Sequence, residues 1–379
     1  MATTVKIDIE DNNLNGAFKD LAASILALEE IAAILVPQQL PMKAMVMPVL
    51  VSDPDRLADM DPLAPAFALN AAKVVSRLTR KPAGEKVAVM LRPCEIRAFV
   101  ELVKLKQGRM EDVLIIGHDC PGAYTNKDYI AFAQTWGQES TAKFFQSAMG
   151  KTGGAVDGIE LAPACWTCEH FIPQGADLAV ALYGVDTGDT LPIQAQSIRG
   201  EEILERLPFS KTQMPAQRDA AVRTLRTQRI AARDQMTVRT SAATDSLEKL
   251  TTYLASCVNC YNCRVACPVC YCRECVFVTD VFDHDPVQYL GWAKRKGAVK
   301  MPTDTVFYHL TRLAHMSTAC VGCGQCSNAC PNEVPVMELF RTVALGTQAA
   351  FDYQAGKNLN EKPPLSEFKE EEFEEVVGI

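Results

Sequence analysis

Cys320-Val-Gly-Cys323-Gly-Gln-Cys326-Ser-Asn-Ala-Cys330-Pro331 sets three thiols at two-residue gaps and a fourth before proline. Three thiolates so spaced wrap one face of a 4Fe-4S cubane, and in two-cluster chains the cysteine before proline ligates the other cluster. Gly322 and Gly324 let the backbone turn tightly and aim N–H groups at the sulfurs, where hydrogen bonds tune the potential. Cys257-Val-Asn-Cys260-Tyr-Asn-Cys263-Arg-Val-Ala-Cys267-Pro268 repeats the spacing. Crossed ligation then gives one cluster Cys257, Cys260, Cys263 and Cys330, and the other Cys320, Cys323, Cys326 and Cys267. A C-x-x-C pair also serves zinc. One zinc atom, however, needs four ligands around a single point and does not call for two such runs. A zinc-stabilised interaction protein is the alternative, and metal analysis separates the two.

Cys270, Cys272 and Cys275 extend the first run, and they hold a further cluster if a distant fourth ligand joins them. A buried, unligated role is the other reading of these three. Cys94, Cys120, Cys165 and Cys168 make a set of four elsewhere in the chain, a plausible tetrahedral set for a third cluster. Against that stand small core cysteines and a redox dithiol at Cys165 and Cys168. His118 and His170 lie beside cysteines and could tune a cluster, though ordinary packing is the simpler role. His284, His309 and His315 read as ordinary surface or core residues.

The elements that must position these thiols follow from periodicity. Lys86–Leu91 reads as a buried strand, Glu95 to Leu105 as an amphipathic helix and Asp112 to Ile116 as the next strand, ending at Gly117-His118-Asp119-Cys120. Strand, helix, strand implies a βαβ unit with parallel strands. Functional groups gather beyond the carboxyl ends of such strands, where Cys94 and Cys120 sit. Apolar runs at Phe18 to Leu35 and Ala66 to Leu78 look helical, Ala176 to Leu182 looks like a strand, and Arg199 to about Ser246 resembles a helical connector.

Eleven of the fifteen cysteines fall between Cys257 and Cys330, and 48% of the 379 residues are apolar. With no basic region and apolar core at the N-terminus, such clustering suggests metal or redox chemistry in the cytoplasm rather than a disulfide framework. A net charge of −8 offers no support for nucleic-acid binding, and no run of about 18 apolar residues spans a bilayer. The fold class expected is an α/β (α+β) N-terminal domain with parallel βαβ units, plus a bacterial-type two-cluster ferredoxin-like domain. Residues 1–200 form the first, 201–250 the connector, 251–345 the second and 346–379 a polar tail. An insertion from Val276 to Met316 must loop out between the two runs. The acidic run Glu370 to Glu375 reads as a solvated end.

Four landmarks in order, Leu91-Arg-Pro-Cys94-Glu-Ile-Arg-Ala98, Ile116-Gly-His-Asp-Cys120, Cys165-Trp-Thr-Cys168-Glu-His-Phe171 and Ala176-Asp-Leu-Ala-Val180, resemble the β subunits of coenzyme F-420-reducing (deazaflavin-reducing) hydrogenases and related formate dehydrogenases. The match covers roughly Val87 to Gly184. Members carry FAD and iron-sulfur clusters and pass electrons between a two-electron carrier and a catalytic partner subunit. The resemblance implies that Cys94, Cys120, Cys165 and Cys168 ligate a cluster near the flavin. The family's glycine-rich segment, expected near Ala66 to Ser76, reads here Ala-Phe-Ala-Leu-Asn-Ala-Ala-Lys-Val-Val-Ser, without paired glycines. No phosphate-cradling G-x-G-x-x-G or P-loop replaces it.

The expected function is that of an iron-sulfur electron-transfer β subunit, with or without FAD, in a multisubunit oxidoreductase. Its expected partners are the catalytic subunit of a dehydrogenase or hydrogenase, or heterodisulfide reductase-like subunits. A noncatalytic electron wire without flavin or substrate site is the alternative. No side chain is singled out as general acid, base or nucleophile.

Overall fold

Val113–His118 runs Val-Leu-Ile-Ile-Gly-His, is buried at every position, and forms β5 of a computed structural model that describes residues 2–41, 44–82, 84–150 and 152–367. A strand apolar throughout is one covered on both faces. Around it stand β1 (Thr4–Asp8), β2 (Ile31–Gln39), β3 (Val46–Val51), β4 (Lys86–Leu91), β6 (Leu178–Val180), β7 (Thr190–Ala195) and β8 (Ser210–Lys211), in an eight-stranded sheet ordered β3-β2-β4-β5-β6-β7-β1-β8. The β2, β4, β5 and β6 strands run parallel. The flanking β3, β7, β1 and β8 pair antiparallel. The α/β class therefore holds, with a mixed sheet.

The helices are α1 (Leu14–Leu26), α2 (Ala72–Leu78), α3 (Pro93–Lys104), α4 (Asn126–Trp136), α5 (Ser140–Met149), α6 (Pro163–Trp166) and α7 (Ile198–Arg206). They continue as α8 (Arg218–Thr244), α9 (Leu247–Tyr253), α10 (Asn262–Ala266), α11 (Pro286–Lys296), α12 (Thr305–Met316), α13 (Gln325–Asn328) and α14 (Val336–Ala350). Successive strand residues point to opposite faces, and β4 and β5 divide accordingly. Ala88, Met90, Leu114 and Ile116 join one core with Phe18, Leu21 and Ile25 of α1 and Ile203 of α7. Val89, Leu91, Val113 and Ile115 join the other, through Phe99 of α3, with Leu313, Val321, Val334 and Phe340 of the cysteine-rich region. One face of the sheet and the thiol-bearing region thus pack in a common core.

Several expected elements differ. The apolar run Phe18 to Leu35 is not one helix, because α1 ends at Leu26 and Ile31 begins β2, whose parallel pairing with β4 claims the β-branched Ile31 and Ile34. Within Ala66 to Leu78 only Ala72–Leu78 is helical. The connector contains α7, β8 and the 27-residue α8. The insertion from Val276 to Met316 does not simply loop out: α12 buries Tyr308, His309, Arg312, Leu313 and Met316 against the core. The expected tail begins inside α14 and continues with Tyr353 and Ala355, both buried. The acidic run Glu370 to Glu375 lies outside the described residues. Among those described, no helix is long and apolar enough to cross a membrane.

Candidate metal centres

Backbone geometry places each cysteine run around a cavity. Cys257, Cys260, Cys263 and Cys330 line one, together with Tyr308 and His309. Cys267, Cys320, Cys323 and Cys326 line a second, with Arg312, Met316 and Phe340. Each cavity thus takes three thiols from one run and the fourth from the other. In both runs the chain turns through the left-handed region, at Asn259 and Tyr261 in the first and at Gly322 and Gly324 in the second. Such turns aim successive N–H groups inward. Those of Val269, Gly322 and Gln325 favour the thiolates of Cys267, Cys320 and Cys323 respectively.

The remaining four-cysteine set comes together at the end of β5. Cys94 sits in the first turn of α3, which starts with proline, a residue suited to that position. Cys120 follows β5, with its N–H bonded to Phe171 O at 2.8 Å, while α6 carries Cys165 and leads into Cys168. At Gly122 a Cβ would stand 3.3 Å from Cys165 Cβ, so the Cys120 loop touches α6. Burial raises the thiol pKa of Cys94 and Cys120, and the other thiols of the set push the same way. Cys165 is pushed up to about 12 by burial, with Cys120 and Cys168 adding to it. Buried thiols become stable thiolates when a metal core supplies the positive charge, and the donor set fits such a core.

Among the described residues, no three His, Cys, Asp or Glu side chains are gathered as a site for a single metal ion. Eight thiols line the two cavities. Cys270 is half-buried beside Cys267, Cys272 is exposed, and Cys275 packs with Cys263, Phe277 and Tyr308.

Sequence reasoning overlooked the arginines. Arg97, Arg229, Arg312 and Arg341 are all buried, and a buried charge must be paired or hydrogen-bonded. Arg97 donates to Val321 O at 3.0 Å and Ala355 O at 2.8 Å, while Arg341 donates to Thr167 Oγ1 and O at 2.8 Å and pairs with Glu169. The Arg92 guanidinium is held by Ala66 O at 2.8 Å and Ala64 O at 3.0 Å. Burial works against its charge, but Cys120, Glu95, Cys94 and Cys165 outweigh that cost and raise its pKa. Four thiolates around an iron-sulfur core leave net negative charge, and these cations are placed to balance it.

His309 is buried in the core, with its Nε2 3.4 Å from Cys257 Sγ. His118 packs as anticipated, with Nδ1 on Asp119 O at 2.8 Å and burial pulling its pKa down to about 4. His170 contacts Gln354 at 3.1 Å and Glu169, His284 stacks edge-on to Trp292, and His315 is exposed.

The three sets adjoin one another. Cys94 feels the charge of Cys323. A Cβ at Gly324 would fall 2.4 Å from Ala164 Cβ, so the second run's loop rests directly on α6. Beyond it Arg312 faces thiols of both cavities.

A 4Fe-4S binding domain model matches residues 315–336. Over 306 residues, 75% of this chain and 76% of the relative, the sequence is 27% identical to the F420-dependent formate dehydrogenase subunit beta of Methanocaldococcus jannaschii. The F420-dependent formate dehydrogenase 1 subunit beta of Methanococcus maripaludis is 26% identical over 304 residues, 74% of this chain and 75% of that one. A chain of the F420-reducing [NiFe] hydrogenase complex from Methanosarcina barkeri aligns with a TM-score of 0.47 and 16% identity, over 65% of this chain and 94% of its own. Across about three quarters of its length, the chain is homologous to β subunits of F420-dependent formate dehydrogenases.

Proposed function

We propose that the chain is an iron-sulfur electron-transfer subunit of a multisubunit oxidoreductase of the formate dehydrogenase or hydrogenase type. The observation that carries this is the exchange of fourth thiols between two repeated runs around two cavities. Two 4Fe-4S clusters occupy those cavities, and Cys94, Cys120, Cys165 and Cys168 hold a third. Each cluster accepts and releases one electron. The row from the Cys94 set through the second cavity to the first forms a conducting path, and exposed Cys260 marks its outer end. The partner is a cytoplasmic catalytic subunit of a dehydrogenase or hydrogenase, with a heterodisulfide reductase-like subunit as the other candidate.

Anaerobically purified chain tests the assignment. Three clusters of four iron atoms predict about twelve iron atoms and as many acid-labile sulfides per chain. Cys326→Ala should remove about one third of the iron and spare the Cys94 set, read by iron analysis and electron paramagnetic resonance. A folded, colourless protein that contains zinc and no iron would sink the proposal.

A second reading, a noncatalytic conductor, is favoured by the segment that replaces the family's glycine-rich stretch. A flavin would supply exchange between two-electron and one-electron carriers, and its phosphates need backbone donors. Here Ala71 N donates to Glu95 and Ala72 N to Asn70, while the carbonyls of Ala66, Phe67 and Ala68 accept from Arg92, Asn328 and Gln325. The segment is a strap between sheet and module and does not fit a pyrophosphate. Acid extraction followed by fluorescence separates the readings: FAD in the extract favours the flavoprotein, and none favours the conductor.

A further inference from the structure

We infer that Arg312 is a positioning residue that raises the reduction potential of the first-cavity cluster, on Cys257, Cys260, Cys263 and Cys330. This rests on the electron-transfer reading above. Arg312 lies on α12, within the segment that separates the two cysteine runs. Its Nη1 donates to Cys263 Sγ at 3.1 Å and its Nη2 to Cys263 O at 3.2 Å, a two-point grip on one residue. The guanidinium is packed 4.6 Å from the Phe340 ring centroid and 5.5 Å from that of Tyr308, and the residue is 4% exposed.

Two neighbours on the same helix face the same thiols. Tyr308 Oη lies 3.4 Å from Cys263 Sγ, and His309 Nε2 lies 3.4 Å from Cys257 Sγ. Side chains from α12 therefore reach the first cavity's sulfurs directly. Arg312 also lines the second cavity and faces Cys267 and Cys326, but its direct bond is to Cys263.

Reduction would add one electron to a cluster; the neighbouring cluster, by losing that electron, would be oxidised, and no proton need move. The cluster gains negative charge. A charge-assisted hydrogen bond to a ligating sulfur strengthens as that charge grows, so the reduced form is stabilised and the potential rises. Arginine stays protonated, so the bias does not depend on pH near neutrality.

The test is a dithionite titration of full-length, cluster-loaded protein, followed by electron paramagnetic resonance, with Cys260→Ala used to assign the first-cavity signal. The wild-type midpoint of that signal is the reference. Arg312→Met should make the reduced-to-oxidised ratio of that cluster, at the wild-type midpoint, fall about tenfold, equivalent to about 59 mV for one electron. Arg312→Lys keeps the charge but loses the planar fork and should give a smaller fall. Full iron content with unmoved midpoints in Arg312→Met overturns the inference while leaving electron transfer standing. If Arg312→Met does not hold its iron, Arg312→Lys decides: a lowered midpoint supports the role, and an unmoved one overturns it. An iron-free wild type removes the electron-transfer reading and this inference with it.

Discussion

Gly324 shows how much one residue can decide. Its φ is +80°, and an added Cβ would meet Ala164 Cβ at 2.4 Å and Phe67 Cζ at 3.1 Å. Gly324→Ala therefore combines left-handed strain with a clash against the Ala164 and Phe67 side chains, and it should cost about 2–4 kcal/mol, measured by denaturant unfolding of matched, cluster-loaded proteins. The glycine was legible in the sequence as a tight turn between cysteines; the neighbour it makes room for was not. The thiols themselves were readable because ligand spacing is a local property of the chain. The guanidiniums were not, since a role such as that of Arg97 exists only once Val321 and Ala355, more than 200 positions away, arrive beside it.

At the scale of elements, the buried strands and the parallel unit β4-α3-β5 could be read from apolar runs, and β4 spans the residues expected, Lys86–Leu91. The Phe18 to Leu35 stretch misled because periodicity cannot separate a buried helix from a buried strand that follows it after a short turn. Helix α8 is mostly polar and reads as a free connector, yet it is pinned at its start. Arg218 donates to Asp119 Oδ1 at 3.0 Å and to Tyr183 O at 3.1 Å, while Asp119 Oδ2 accepts from Leu182 N at 2.8 Å and Tyr183 N at 3.0 Å. Asp119 is fully buried, one residue before Cys120. Asp119→Ala leaves a guanidinium and two N–H groups without their acceptor. It should destabilise the protein by about 3–5 kcal/mol, visible as a lower midpoint in chemical denaturation.

For the whole molecule, continuity of the core matters more than any domain boundary. The residues after α14 close it: Tyr353 Oη bonds Glu101 Oε1 at 2.7 Å, Gly356 N bonds the same oxygen at 2.6 Å, and Lys104 Nζ contacts both Glu101 and Tyr353. A chain cut after Ala350 loses this clasp on α3 along with the burial of Tyr353 and Ala355. The expected loss is on the order of 3–5 kcal/mol, with calorimetry as the check. Stability near that of the full chain would mean the clasp is incidental.

The swapping of fourth thiols between the runs bears on how the protein is made. A nascent chain that has emerged only through Cys267 can offer three sulfurs toward the first cavity and one toward the second, so neither is complete. Both become whole only when the ribosome has passed Cys330. On the proposed ligation, biogenesis of these two sites is thereby timed: iron delivered earlier would meet half-built cradles, and a product terminated before Cys330 would be unable to complete either of the two.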